Sequence, residues 1–251
     1  MKTLTLLSFF LLNTLLTYSQ VASLVYDYDK PESIKNQKGL ETRTFFKDES
    51  RDFSTMQMDA VIFRKAGKLK LENKGAEQLI IVKKGKINFT LNGKEQIMGA
   101  GSIALVMPGD LLRLTAPQES EVFVMTYTAK EGQSLTRGKE SGGSFMMDWE
   151  EIAYKTHDKG GIRNFYNKPT AACKRMEMHV TNLNAGIKSH EPHTHRAAEI
   201  VLMIKGESEM ELDGKIIHGN TGDIYYLGSE VPHAIKNIDS QQIQYFAYQF
   251  E

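Results

Sequence analysis

The chain has 251 residues, 41% of them hydrophobic and 25% charged, which excludes a disordered or fibrous protein. Lys and Arg together number 31, as do Asp and Glu, so the basic surplus expected of a nucleic-acid binder is missing. The length accommodates one large domain or two small ones, each able to bury a core.

The first residues read as a targeting segment. Met1-Lys2 is a short positive start, Leu4 to Leu16 is mostly apolar, and Thr17-Tyr18-Ser19 offers small residues where a signal peptidase reads. Residues 1–19 are therefore expected to be a signal peptide cleaved before Gln20. The mature protein would be exported, to the periplasm or the extracellular space. The apolar run is too short to span a bilayer, so no stable membrane insertion is expected after cleavage. The one cysteine, Cys173, allows no internal disulfide, and the mature chain must be held by its core.

Residues 20–50 are polar and irregular and read as an N-terminal arm with one edge strand. From Phe53 the texture becomes β. Lys86 to Leu91 alternates with period two, and Asn92-Gly93 offers a tight hairpin turn. Ser102 to Val106 is a buried-type strand ending at Pro108-Gly109, and Glu121 to Tyr127 is another. Residues 130–160, with Gly132, Gly138 and Gly142-Gly143, read as a linker. Within it, Asp148 to Ile152 is expected to form a helical turn that packs Trp149 against a barrel. Strand texture resumes near Gly161.

The two β regions repeat each other at a constant offset of 121. Gly85 falls on Gly206, Leu91-Asn92-Gly93-Lys94 on Leu212-Asp213-Gly214-Lys215, Gly101 on Gly222, and Tyr127 on Tyr248. Self-similarity kept without a gap implies two tandem domains of one fold, over residues 51–129 and 161–251. Short strands with regular turns and no helical periodicity make the class all-β, a sandwich or barrel.

The second copy carries a cluster of metal-ligand types. His193 and His195 are two apart, so on an extended strand both imidazoles share a face. Glu199 follows four residues on, and His233 arrives from a distant strand. Imidazole and carboxylate together suit a divalent Mn, Fe, Ni or Zn ion, with one or two positions left open. A closed structural zinc site would more often use thiolates, and Cys173 is outside the cluster.

These residues give the chain a family resemblance. Gly186, His193, His195, Glu199 and Gly206 resemble the first motif of the cupin superfamily, with the gap after Gly186 one residue longer than usual. Gly222, His233 and Asn237 resemble the second, although Gly228 stands where the motif has Pro and Glu230 where it has Gly. The resemblance implies two tandem double-stranded β-helix (jelly-roll) domains, with His193, His195, Glu199 and His233 holding one metal ion inside the second barrel. In the first copy the same positions are Glu72, Lys74, Gln78 and Leu112, which cannot form a metal shell. The first domain thus reads as a degenerate cupin with a structural role.

Around the cluster, Cys173 to Val180 alternates between an Arg175, Glu177, His179 face and a Lys174, Met176, Met178, Val180 face. The Met face suits a core, which places the Arg175 face toward solvent. Glu199, Val201 and Met203 share one face of the barrel wall. His190, Glu191 and Arg196 flank the ligands at the mouth, where Arg196 is placed to grip a carboxylate. One of Tyr225 and Tyr226, and one of Tyr245 and Tyr248, should point inward. No catalytic residue is singled out.

The resemblance implies an exported metal-binding bicupin. The first reading is an enzyme acting on a small organic acid, sugar acid or phenol in the second barrel: a dioxygenase, isomerase, lyase or hydrolase. An empty first barrel and a loaded second one is also similar to ureidoglycine aminohydrolases, which carry Glu and Gln where this chain has His193 and His233. Oxalate decarboxylases are bicupins too, but both of their barrels usually carry ligands. The alternative is a non-enzymatic binder of a sugar or another small molecule. Cupins commonly pair through sheet edges and faces, so a homodimer is expected by resemblance.

Overall fold

The computed structural model describes residues 20–35 and 40–251, and the expected signal peptide lies outside them. The first barrel is built from β2 (Ile34–Lys35), β3 (Leu40–Asp48), β4 (Phe53–Phe63), β5 (Gly67–Glu72), β6 (Glu77–Lys84), β7 (Ile87–Leu91), β8 (Lys94–Met98), β9 (Ile103–Val106), β10 (Leu111–Ala116) and β11 (Ser120–Ala129). A short helix α1 (Leu135–Glu140) and a 3-10 turn (Trp149–Glu151) follow. The second barrel is built from β13 (Tyr154–His157), β14 (Gly160–Lys168), β15 (Met176–Leu183), β16 (Ala198–Lys205), β17 (Ser208–Leu212), β18 (Lys215–Gly219), β19 (Ile224–Leu227), β20 (His233–Asn237) and β21 (Ile243–Phe250). The remaining two strands, β1 (Leu24–Tyr26) and β12 (Phe145–Met147), cross between the barrels.

The offset of 121 holds in three dimensions. β16, β17 and β18 begin and end 121 residues after β6, β7 and β8. The two expected hairpins form, with Asn92 at φ 48° and Asp213 at φ 49°, each followed by a left-handed glycine. Positive φ at both central positions gives the turn whose twist matches the flanking strands.

The repeat also covers two strands whose partners the sequence pattern did not indicate. β1 pairs antiparallel with β19, Leu24 facing Tyr226, and so completes the large sheet of the second barrel. Its counterpart β12 pairs with β9, Phe145 facing Leu105, and completes that of the first. Each barrel therefore receives its outermost strand from the segment preceding the other. The arm and the linker are not passive connectors, and between them lies a reciprocal exchange. Each crossing strand is followed by an aromatic clamp at equivalent positions. A Cβ on Gly222 would lie 3.0 Å from the Tyr28 ring, and one on Gly101 would collide with the Trp149 ring. Trp149 packs against a barrel from its helical turn, as the sequence suggested.

The large sheets run β12-β9-β6-β11-β4-β3-β2 and β1-β19-β16-β21-β15-β14-β13. Their outer faces meet in the largest apolar cluster, which draws Phe53, Met56, Met58, Phe123 and Tyr127 from one barrel and Met176, Met178, Val180, Phe246 and Phe250 from the other. Phe53 stacks on Phe250 with ring centroids 5.2 Å apart and leans on Tyr127 at 4.8 Å. Each barrel keeps a second core inside, where its large sheet covers the small one.

This arrangement corrects the orientation expected for β15. Met176, Met178 and Val180 do face a core, but it is the core between the barrels. The opposite face of β15 therefore looks into the second barrel, and His179 and Thr181 line its cavity. Alternation alone could not decide this, because both faces of the strand are covered. Tyr226 and Tyr248 join the core between the barrels, whereas Tyr225 and Tyr245 point into the second barrel.

Because both barrels share the largest core, they should unfold together. Phe53→Ala removes a side chain that is fully buried and stacked across the interface. It is expected to cost roughly 3–5 kcal/mol. Urea unfolding followed by the fluorescence of Trp149 and by circular dichroism should give one coincident transition at a lower midpoint. Two separated transitions would show that the barrels are independent.

Candidate metal centre

In the first barrel β5 pairs with β10 over six residues, from Leu111 opposite Glu72 to Ala116 opposite Gly67. Among the described residues the second barrel has no such strand. Two isolated bridges stand in its place, Lys188 with Lys236 and His193 with His233. Between them Ser189-His190-Glu191-Pro192 stands opposite Ala234-Ile235 alone, so the surplus residues bulge outward. The extra length after Gly186 is spent here. The loop opens the mouth of the barrel, and the His193–His233 backbone pair, with N–H to O distances of 3.2 and 3.3 Å, returns the chain to the wall.

This brings the expected residues together. One ring nitrogen of each of His193, His195 and His233 lies within 4.8 Å of the other two. Glu199 Oε2 lies 3.2 Å from His195 Nε2 and 3.6 Å from His233 Nε2. The carboxylate is 8% exposed and His233 is 3% exposed, while His193 stands open at the cavity.

The hydrogen bonds around the cluster fix which atoms face inward. His195 Nδ1 lies 2.7 Å from the Ala197 carbonyl, and His233 Nδ1 lies 2.8 Å from that of Val231. A carbonyl can only accept, so each Nδ1 carries a proton; in the neutral ring Nε2 then presents a lone pair, and in the protonated ring it donates to Glu199. Those lone pairs point at the Glu199 carboxylate, which also only accepts. His233 Nε2 is buried with no hydrogen-bond partner. Two imidazole lone pairs and a carboxylate converging in a buried site fit a bound cation. The donor set of nitrogen and oxygen matches a borderline divalent ion.

Gln249, on the last strand, was not marked by the sequence pattern. It donates to Glu199 Oε2 at 3.0 Å and its Nε2 lies 3.2 Å from His195 Nε2, so it holds the carboxylate in place. Its signal is parity alone, since it shares the inward face of β21 with Tyr245 and Ala247. Burial alone would raise the Glu199 carboxyl, but the neighbouring imidazoles and Gln249 outweigh it and hold it well below the usual range. The hydrogen bond with Glu199 raises His195, whereas burial and the adjacent imidazoles lower His193.

The cluster forms one end of a cavity of about 330 Å³. Its floor is the inward face of β15, β21 and β16. The register places His179 opposite Ala247, which in turn lies opposite Val201, so the small Ala247 leaves room between larger neighbours. Burial lowers His179, which is therefore neutral at pH 7. Burial raises the Tyr245 phenol, which stays protonated. His157, Lys159 and His190 complete the mouth. His190 packs edge-on against His193 at 4.2 Å.

The grip expected of Arg196 is not at the cavity, and Arg175 stays outside it as expected. Arg196 turns outward and pairs with Asp52 at 2.8 Å and Glu251 at 3.1 Å. Arg175 pairs with Glu177 at 2.7 Å and Glu251 at 3.4 Å. Both are neutralised by carboxylates outside the cavity lining. In the first barrel Glu72 pairs with Lys70 on the surface, and Leu112 is buried in the interior, with Leu69 and Leu71 packed against the same core. Apolar side chains thus fill the space that the second barrel leaves open.

The two departures in the second motif have separate outcomes. Gly228 donates its N–H to Ser23 Oγ of the crossing arm at 2.9 Å, a bond that proline cannot make. Glu230 adopts φ 62°, the left-handed conformation natural to glycine, and its N–H donates to the His195 carbonyl at 2.9 Å. A side chain there costs about 1–2 kcal/mol, offset partly by the greater freedom glycine has when unfolded. Glu230→Gly is therefore expected to raise the urea midpoint, by up to about 1 kcal/mol of stability. A lower midpoint would show that the Glu230 side chain has a stabilising role of its own.

Residues 179–247 match the Cupin domain family, a span that contains His193, His195, Glu199 and His233. No curated protein matches the chain by sequence. Among solved structures, the oxalate decarboxylase of Lactobacillus farciminis in its formate complex superposes with a TM-score of 0.71 at 10% identity, covering 93% of this chain and 88% of its own. AerE from Microcystis aeruginosa gives 0.69 at 14% identity, covering 92% and 100%. A cupin 2 conserved barrel domain protein from Leptotrichia buccalis gives 0.59 at 13% identity, covering 92% and 100%. At such identities these neighbours carry the fold and not the chemistry. The second barrel thus carries a domain of the cupin family, and the first repeats its fold, so the chain has the two-barrel cupin architecture.

Proposed function

We propose that the protein is a metal-dependent enzyme whose second barrel binds one divalent ion through His193, His195, Glu199 and His233 and acts on a small polar organic molecule in the adjoining cavity. The observation that carries this reading is the convergence of two imidazole lone pairs on a buried carboxylate, with His233 Nε2 otherwise unpartnered. A bound divalent ion would supply Lewis acidity toward an oxygen of the substrate. The chain's own groups then have distinct roles. Gln249 fixes the Glu199 carboxylate, and the carbonyls of Ala197 and Val231 fix the two imidazole rings. Neutral His179 and protonated Tyr245 stand on the cavity wall, one able to accept a proton and the other to donate one. Leu183, Val201, Met210 and Ile235 make the rest of that wall apolar and limit water around the reacting atoms. An open cavity beside the cluster favours turnover over a sealed structural ion. Organic acids, sugar acids and phenols all fall within its size.

Elemental analysis of protein purified without chelator tests the central claim. About one equivalent of Mn, Fe, Ni or Zn is expected per chain. The double variant His193→Ala/His233→Ala should lose it while its circular dichroism is retained. A native protein that holds no metal, and takes up none after incubation with each ion, would overturn the assignment.

We also propose that the protein works after export, on the strength of residues Met1 to Ser19. N-terminal sequencing of the mature form should begin at Gln20. An intact Met1 in material from a secreting host would refute export by this signal.

A further inference from the structure

The cavity beside the candidate metal centre is lined by a cation, Lys159, whose charge no carboxylate among the described residues answers. Lys159 sits at the tip of the β13–β14 hairpin, and that tip is pinned from several sides. Gly160 adopts φ +141°, and a Cβ there would run into the Asn182 carbonyl of β15. A Cβ on Gly161 would run into the Tyr154 phenol. Asn184 N–H donates to the Lys159 carbonyl at 2.9 Å. Gly160 thus lets the hairpin press onto β15, Gly161 makes room for the Tyr154 ring, and the Lys159 side chain is delivered over the cavity mouth. There Nζ donates to the Ser189 carbonyl at 2.7 Å, on the loop that carries His193.

The other cations near the mouth are paired. Arg175 and Arg196 hold carboxylates away from the cavity, and Lys188 pairs with Glu211 at 3.0 Å and Glu191 at 3.3 Å. Among the described residues no carboxylate lies within ion-pair distance of Lys159. Of the residues that line the cavity, Glu199 alone is acidic, and it is held by Gln249 and the imidazoles. Ser189 Oγ, which also lines the cavity, is buried beside the Tyr245 phenol and makes no hydrogen bond of normal geometry. A pinned ammonium with a neutral partner, next to a hydroxyl, is complementary to an anionic oxygen pair.

We propose that Lys159 anchors the carboxylate of a small organic acid, with the rest of that molecule directed toward the histidine cluster. This rests on the metal-centred reading of the cavity and narrows its substrate from organic acids, sugar acids and phenols to carboxylates. The hairpin that supplies Lys159 is the outer edge of the second barrel's large sheet, so specificity is set from outside the strands that hold the metal-ligand types.

The test is equilibrium titration of the full chain, with and without one equivalent of Mn(II), using sodium pyruvate, sodium malonate and the uncharged pyruvamide. Wild type is expected to bind at least one carboxylate about ten-fold or more tightly than pyruvamide, a gap set by one charge-assisted hydrogen-bond pair. Lys159→Met should lose about that factor for the carboxylate and leave pyruvamide unchanged, while Lys159→Arg stays within about three-fold of wild type. Mn(II) content should be equal in all three proteins. Neither carboxylate binding better than pyruvamide, or Lys159→Met binding it as wild type does, overturns the proposal. Equal loss for acid and amide in Lys159→Met also overturns it, since that marks a strut for the Ser189 loop. Failure to take up Mn(II) counts against the metal reading alone, because the metal-free titration still decides the role of Lys159.

Discussion

Two apolar sheet faces pressed against each other set the terms for the rest of this molecule. A sheet with one wet face must keep its dry face for its own core. Here the large sheet of each barrel is dry on both sides, and the larger share of buried side chains lies between the barrels. That frees the interior of the second barrel from having to be wholly apolar. β15 shows the division of labour within one strand, with Met176, Met178 and Val180 packed outward and His179 and Thr181 turned inward. Polar groups on that inner surface are tolerable because cohesion is supplied by the other.

The two barrels then differ by a local exchange of pairing for space. In the first, β5 zips onto β10 and leucines fill the interior. In the second, the equivalent segment carries a surplus between its two bridges and leaves a cavity. The scaffold strands β6 to β8 and β16 to β18 are unaffected, since their ends coincide under the offset. A structural barrel and a chemical one can thus be built on the same frame, with the difference confined to one loop and the side chains facing it.

Much of this was legible in the sequence, and what was not has identifiable causes. Hairpins, buried strands and the repeat could be read because turns and glycines impose strong local rules, as at Asn92-Gly93 and Asp213-Gly214. The four residues of the cluster could be read because two share a strand face and the others fall at motif spacings. The pairing of the crossing strands could not, since three residues carry no period and the partner of Leu24 is Tyr226. The outlook of His179 was misjudged because a strand buried on both faces gives alternation no solvent side to reveal. Lys159 and Gln249 were invisible for another reason. A single lysine in a polar turn, or a glutamine near a chain end, looks like surface until the fold brings it beside Ser189 or Glu199.

The traded outer strands bear on how such a chain could arise and how it must be made. A lone barrel with its preceding arm would have an arm with nowhere to lie and a sheet edge left bare, yet two copies would complete each other by swapping arms. The present chain has the form of that swapped pair joined into one polypeptide. During synthesis, Leu24 to Tyr26 emerge before either barrel, but their place beside β19 is not made until most of the second barrel has followed. The early arm must therefore wait as an unpaired strand while both barrels are made.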